Sequence, residues 1–306
     1  MSNPLVSIII PTYGRPNYLE RAIKSALNQS YANVEIIIVD DNQPYTDERS
    51  QTEEIVKSYS HLTNLTYIQH IQNLNGSAAR NTGFAACRGI YISFLDDDDE
   101  LLPDKIKSQV DYLNKFEQFD ACYCLTLYSY NKKIYNKSTY CRSGNFQHDV
   151  FLLKHQCNTS SFLFRKAVLE KLGGFNEEFT RHQDVELLIR FFSYGSMGCV
   201  SQYLLLRNVD DRSNMPSFDK YLQVKNDFLT TFEREIQDCE PKSKATIHST
   251  HQADIFFYAL RKKGVFFALK HSPGFISILK YMFTSRKKIT MFIKRKLALF
   301  KDRYSK

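Results

Sequence analysis

Between residues 5 and 95, short β-branched apolar runs alternate with longer amphipathic ones, and this alternation narrows the fold more than any other feature of the chain. Residues 5–10, 34–39, 65–69 and 90–95 read as strands, and residues 18–28, 52–59 and 77–87 as helices, the first with Leu19, Ile23, Ala26 and Leu27 on one face. Such strict alternation implies right-handed crossovers and an α/β fold, a Rossmann-like, mostly parallel central sheet flanked by helices. Ligands of such sheets bind beyond the carboxyl ends of the strands, so the loops found there are where function is sought.

Three of those loops are polar. Pro11-Thr12-Tyr13-Gly14-Arg15 follows the first strand, Asp40-Asp41-Asn42 the second, and Asp96-Asp97-Asp98-Asp99 the fourth. Four carboxylates at the end of a buried strand are stable only if a cation or a set of donors neutralises them, which points to a divalent metal. The same residues also read as a solvated acidic turn before a helix starting near Pro103-Asp104. A calcium-binding EF-hand loop fits worse, because Leu101 stands where its glycine is required. The first loop holds a single glycine, so neither a dinucleotide fingerprint nor a Walker phosphate loop is present. An aromatic ring, carboxylates and a metal cluster on one edge describe a nucleotide site whose phosphates are handled by an ion and basic side chains.

The 306 residues can bury a full core, and 43% apolar content excludes a disordered chain. Charge is unevenly placed. Residues 261–306 carry fourteen Lys and Arg against Asp302 alone, whereas the preceding 260 hold 27 basic and 32 acidic residues. Seven cysteines without a CxxC pair are expected to be reduced thiols in a cytosolic protein. No signal peptide is expected at the start, and no apolar stretch approaches the ~18 residues of a membrane span. His148 and His155 lack metal-ligand spacing, so no zinc site is expected.

Val6-Ser7-Ile8-Ile9-Ile10-Pro11-Thr12-Tyr13, Ile38-Val39-Asp40-Asp41, Gly76-Ser77-Ala78-Ala79-Arg80-Asn81-Thr82-Gly83 and Phe94-Leu95-Asp96-Asp97-Asp98-Asp99 resemble, in order and spacing, the family 2 glycosyltransferases of GT-A fold. The likeness continues through Gly173-Gly174-Phe175-Asn176-Glu177 and His182-Gln183-Asp184, covering residues 4–215. The resemblance implies a catalytic domain over 1–215, with a nucleotide-binding half at 1–100 and an acceptor half at 101–215, followed by a helical region at 216–306.

It also implies roles. Pro11, Thr12 and Tyr13 would line the nucleotide, Asp40 would accept from a uracil imide, and Arg80 would line the nucleotide pocket. Asp96 and Asp98 match the family's DxD, Asp96 near the ribose or the metal and Asp98 on Mn²⁺ or Mg²⁺ bridging the phosphates, with the register inside the four aspartates open. Asp99 and His182 are candidate contacts to donor or acceptor, and His182 equally suits a structural position. Asp184 would be the base that deprotonates the acceptor hydroxyl, or else an N-cap. Two departures stand out: Gln183 replaces a common Glu, and the stretch 203–214, with Arg207 and Arg212, matches only loosely.

The expected activity is inverting transfer of a sugar from a UDP-linked donor to a saccharide or lipid-linked saccharide in surface polysaccharide or glycolipid synthesis. A sugar nucleotidyltransferase would want a glycine-rich first loop, and a non-catalytic nucleotide or sugar binder is a further alternative. Ile289, Phe292, Ile293, Leu297 and Phe300 recur at helical spacing, with Lys287, Lys288, Lys294, Arg295 and Lys301 largely elsewhere around the turn. This basic amphipathic helix, preceded by an apolar patch at 275–283, suits an anionic membrane surface, or packs on the catalytic domain with its basic face solvated. The protein is thus expected in the cytoplasm, peripheral on the inner face of the membrane. With an acidic main body, no nucleic-acid partner is expected.

Overall fold

A computed structural model describes residues 3–209 and 216–271. The chain divides into two compact units, Met1–Asn214 and Met215–Lys306. The first unit opens with β1 (Val6–Thr12), α1 (Pro16–Leu27), β2 (Val34–Asp40), α2 (Asp47–Lys57), β3 (Leu65–Gln69), α3 (Gly76–Ala86) and β4 (Tyr91–Phe94). It continues through β5 (Asp99–Leu101), α4 (Lys105–Lys115), β6 (Ala121–Tyr130), β7 (Lys133–Lys137), α5 (Gln147–Phe151), β8 (Phe162–Arg165), α6 (Lys166–Leu172), α7 (Gln183–Phe191) and β9 (Met197–Asn208).

Every residue of β1 and β2 is buried, as near-continuous apolar strands covered on both faces must be, whereas β3 at the edge is half exposed. The strands line up as β3-β2-β1-β4-β8-β6-β9-β5, with β7 on β6. From β3 to β4 all pairings are parallel. Beyond β4 only β6 and β9 pair in parallel; the pairings of β8 with β4 and β6, of β7 with β6 and of β5 with β9 are antiparallel. The sheet as a whole is therefore mixed, and the parallel character expected from the alternation belongs to its first half.

One apolar core joins both halves: Ile8, Ile10, Ile36 and Ile38 pack in the same cluster as Cys122, Leu163 and Leu205. On the other face α3 presses onto the sheet at Gly83, where a Cβ would lie 2.4 Å from Ile9 Cγ2, so only glycine fits. Wholly buried Lys105 donates from Nζ to Ser93 Oγ (3.0 Å) and the Phe162 carbonyl (3.3 Å), and burial pulls its ammonium below the usual range.

The expected all-reduced cysteines are corrected at one pair. Cys141 and Cys199, with Cα atoms 5.6 Å apart, form a disulfide that ties the loop before α5 to β9; Cys87, Cys122, Cys124, Cys157 and Cys239 are free. The pair is 58 residues apart in sequence, and only the long-range pairing of the sheet brings it together.

The second unit contains α8 (Phe218–Thr231), α9 (Glu233–Gln237), α10 (Pro241–Lys263) and α11 (Val265–His271). Phe218, Ile255, Phe256, Ala259 and Ala268 form its own small core. Buried Lys225 pairs with Asp254 at 2.8 Å, and Tyr221 stacks on Tyr258 with ring centres 3.8 Å apart. The basic amphipathic segment read at Ile289–Phe300, and Arg212, lie outside the described residues. None of the described helices is long and apolar enough to cross a membrane.

Candidate active site

The aspartate run does not behave as a unit. After β4 the backbone turns through Asp97 and Asp98 and re-enters the sheet at β5, so alternate carboxylates point to different surroundings. Asp97 faces inward: Thr12 Oγ1 donates to it at 2.9 Å and Arg15 Nη2 at 2.6 Å. Burial pushes its carboxyl up to about 7, against the pull of Arg15. Asp96, Asp98 and Asp99 form the other group, with one oxygen from each lying within 4.8 Å of the others. This trio leaves Asp97 outside the group that could share one cation.

Each member has an arginine beside it. Arg80 Nη2 meets Asp96 at 2.5 Å, and Arg15 Nη1 meets Asp98 at 2.5 Å. Arg207 faces Asp99 across the β5–β9 ladder, where the two residues are register partners. Burial raises Asp96, but Arg80, Arg207 and Arg15 outweigh it and hold that carboxyl below the ordinary range. Burial prevails at Asp98, which is raised in spite of Arg15, and at Asp99, which is raised well above the ordinary range in spite of Arg207. Arg207 is pushed up by Asp99 and Asp96 although burial opposes its charge.

Both carboxylate oxygens of Asp99 are buried; Ser160 and Arg207 lie near enough to favour its charge against burial, but neither closes a full hydrogen bond to them among the described residues. An orphaned buried carboxylate facing two others is the donor set a hard divalent cation needs, and three carboxylates with open remaining positions suit Mg²⁺ or Mn²⁺. The residues present therefore fit the expected metal.

Around the trio, the structure distributes the other expected residues unevenly. Tyr13 is 52% exposed and free to face a base. Pro11 and Thr12 are buried at the end of β1, paired with Val39 and Asp40, so they shape the loop from within. Asp40 is enclosed by the loop that follows it. Its side chain has no exposed surface, and its oxygens already serve the Asn42 amide (2.9 Å), Asn42 Nδ2 (2.7 Å), Tyr67 Oη (2.5 Å) and Arg49 (3.2 Å). These contacts brace Asp40 within the loop, with Arg49 present as an ion pair and not as a hydrogen-bond donor from Nε. Asp41 is filled in the same way by His70 Nδ1, Asn73 Nδ2 and the Leu74 and Asn75 amides, which pins the loop leading to α3.

Helix α3 is the template on which the segment from Phe175 to Phe179 is laid. Its cap residue Asn75 donates to the Glu177 carbonyl, Ser77 Oγ to the Phe179 carbonyl, and Asn81 Nδ2 to the Phe175 carbonyl, while Asn81 Oδ1 accepts from the Phe175 amide. The Phe175 ring packs edge-on to Phe94 at 5.0 Å and lies under the Arg80 guanidinium. Arg80 itself is nearly buried, donating also to Gln183 Oε1 (2.7 Å) and the Gly76 carbonyl (3.0 Å). It is held by protein on each of these sides.

Asp184 is half-buried in the first turn of α7, beside buried Cys157, whose thiol is pushed up by burial and by the Asp184 charge. His182 caps this helix with φ 58°, a left-handed backbone that histidine adopts at some cost, and its carbonyl accepts from the Glu186 amide. The helix is anchored by Glu186, which pairs with Arg190 at 2.5 Å, while Arg190 donates to the carbonyls of Leu172 and Gly174. The Gly173-Gly174 turn and the Asp184 helix are thus one assembly. Ser160, in the turn before β8, accepts from the Asp96 amide at 3.1 Å and closes the floor.

A mixed sheet flanked by helices, with a carboxylate trio beyond its parallel half, defines the class as GT-A. Solved structures of that fold superpose on the chain. S. aureus TarS 1-349 in complex with UDP-GlcNAc gives a TM-score of 0.64 at 19% identity over 84% of this chain and 74% of that one. The mannosyltransferase PcManGT from Pyrobaculum calidifontis, in complex with GDP-Man and Mn²⁺, gives 0.59 at 18% identity over 100% of this chain and 89% of that one. The model of Glycosyl transferase family 2 matches residues 7–173, over half of the chain, and the protein belongs to that family. An uncharacterized glycosyltransferase of Rickettsia prowazekii is 33% identical over 206 residues, 64% of this chain and 61% of that protein's length.

Proposed function

We propose that this family 2 member transfers a sugar from a nucleotide-sugar, UDP-linked, to a saccharide or lipid-linked saccharide, inverting the anomeric centre and depending on Mn²⁺ or Mg²⁺. The observation that carries the reading is the orphaned carboxylate of Asp99 beside Asp96 and Asp98, a cation seat at the edge where an open α/β sheet takes its ligand. UDP-GlcNAc in one structural relative and GDP-Man with Mn²⁺ in another support a nucleotide-sugar and a metal.

In this mechanism Tyr13 stacks on the base, and Asp96, Asp98 and Asp99 would hold the ion. The bound metal supplies Lewis-acid stabilisation of the departing diphosphate. Asp184 accepts the proton of the acceptor hydroxyl as that oxygen bonds to the anomeric carbon and the carbon–diphosphate bond breaks on the opposite face, a contribution of about 10²–10⁴-fold. His182, at the start of the same helix, borders the acceptor. The main domain works at an anionic membrane surface contacted by the basic stretch 261–306.

Titration calorimetry of UDP with and without Mn²⁺, on the full chain and on Asp98→Ala, tests the site. Metal-dependent binding that disappears in the variant is expected, and equal binding in all four conditions would remove the metal. GDP and dTDP titrated in parallel decide the base. For the membrane, co-sedimentation with anionic liposomes is expected to fall when Lys287, Lys288, Lys294 and Arg295 are replaced by Glu; unchanged recovery would dismiss the contact.

A further inference from the structure

We propose that Arg80 is a positioning residue, a clasp that sets the metal-facing carboxylate of Asp96 and the start of the Asp184 helix in one fixed relation. The inference deepens the transferase reading and rests on it for the role of the two ends.

The guanidinium is used as a fork. One nitrogen holds Asp96 at 2.5 Å, and the other holds Gln183 Oε1 at 2.7 Å together with the Gly76 carbonyl at 3.0 Å. Its face rests on the Phe175 ring with 5.4 Å between guanidinium carbon and ring centre. A side chain restrained on both edges and one face has little freedom left, and the planar fork is what lets one cation fix two partners at set angles. Space around it is closed as well: a Cβ on Gly76 would come within 3.0 Å of Arg80 Nη1 and 3.3 Å of Gln183 Oε1.

The partners explain why the clasp matters. Asp96 belongs to the trio, and Gln183 is the first residue of α7 and the neighbour of Asp184. Arg80 stands on α3, whose Asn75, Ser77 and Asn81 already bind the segment from Phe175 to Phe179. Its contact with Gln183 is the last of that row, and the one that carries registry from the donor side to the base. Gln183 is neutral, so within the fork Asp96 is the only carboxylate drawing on the Arg80 charge.

Two measurements on the full chain decide the matter. The first is Mn²⁺ affinity by calorimetry in the presence of UDP for wild type, Arg80→Lys, Gln183→Ala and the double variant. Lysine keeps the charge and loses the fork. Arg80→Lys should weaken Mn²⁺ about tenfold, in the range found when a partner of a metal ligand is altered. Gln183→Ala, which touches the trio only through Arg80, should weaken it about threefold, and should add nothing in the Arg80→Lys background. Additive effects, or a silent Gln183→Ala, overturn the clasp.

The second is amide hydrogen exchange without metal or nucleotide. Arg80→Lys should accelerate exchange of the first-turn amides of α7, Glu186 and Leu187, with the amides of β1 and β2 unchanged. Unaltered exchange there overturns the proposal, as does a weaker UDP affinity measured without metal, which would make Arg80 a nucleotide contact. A wild type that binds no Mn²⁺ sinks the metal reading alone, because the exchange result still decides whether Arg80 sets α7.

Discussion

The two halves of the sheet differ in how they are built. From β1 to β4 the strands pair in parallel and are linked by helices, and β1 and β2 are buried on both faces. Beyond them, apart from the local pairing of β6 with β7, the ladders join distant stretches, Asp99 of β5 with Arg207 of β9 and Tyr91 of β4 with Arg165 of β8. The first half carries three polar loops on one edge. The second carries the Asp184 helix and, through Arg207, faces the trio. The proposed function assigns binding to the first half and chemistry to the second, and that assignment can be attacked.

The largest expected effect is on chemistry. Asp184→Asn should lower the transfer rate by about 10²–10⁴-fold with UDP–Mn²⁺ affinity intact, measured by kinetics and calorimetry on the same preparation. A parallel fall in affinity would break the division between halves. Core packing should ignore that division. Ile38 and Leu163, one from each half, are both wholly buried in the same cluster, so either truncation to alanine should cost about 2–5 kcal/mol in urea unfolding. A much larger loss at Ile38 would mean that the parallel half folds first and carries the other.

The disulfide is a feature of the second half alone. Cys141→Ser should lower stability by about 2 kcal/mol, an effect that vanishes when both proteins are unfolded in reductant. The smallest effect belongs to Glu35, buried in β2, where it accepts from Ser7 Oγ (2.6 Å), the Arg88 amide (2.6 Å) and Arg88 Nε (2.8 Å). Burial opposes its charge, but these donors outweigh it and hold the carboxyl below its ordinary 4.5. The folded state therefore binds this proton less tightly than the unfolded chain. The stabilisation is complete above pH 4.5 and fades as the pH falls toward the lowered folded value. Glu35→Gln should cost about 1 kcal/mol at pH 7 and flatten the acid limb of the stability curve.

Legibility followed the same line between halves. β3 lies where the pattern put it, and β1, β2, α1 and α3 differ by one or two residues at their ends, because an apolar period survives in any sequence that buries one face. The helix α2 starts at Asp47, five residues before its apolar period is visible, because Thr46 caps it by accepting from the Arg49 amide. Arg207 carried no local signal: its importance comes from standing opposite Asp99 in a ladder that spans half the chain. The burial of Asp40 was not legible either: the loop folds back so that Asn42 and Tyr67 bond its carboxylate and Arg49 pairs with it. Residue type and strand end were readable; which way the side chain turned was not.

The three arginines around the aspartate run have one more consequence. Four carboxylates, Asp96 to Asp99, meet Arg15, Arg80 and Arg207, so the cluster carries its own counter-charge before any ion arrives. A site neutralised in this way does not need to capture metal in order to fold, unlike domains that are unfolded until loaded. A chain with such a site can complete its tertiary structure in an ion-poor setting, so that occupancy and folding are separable events. Chelator should thus leave the melting temperature almost unmoved.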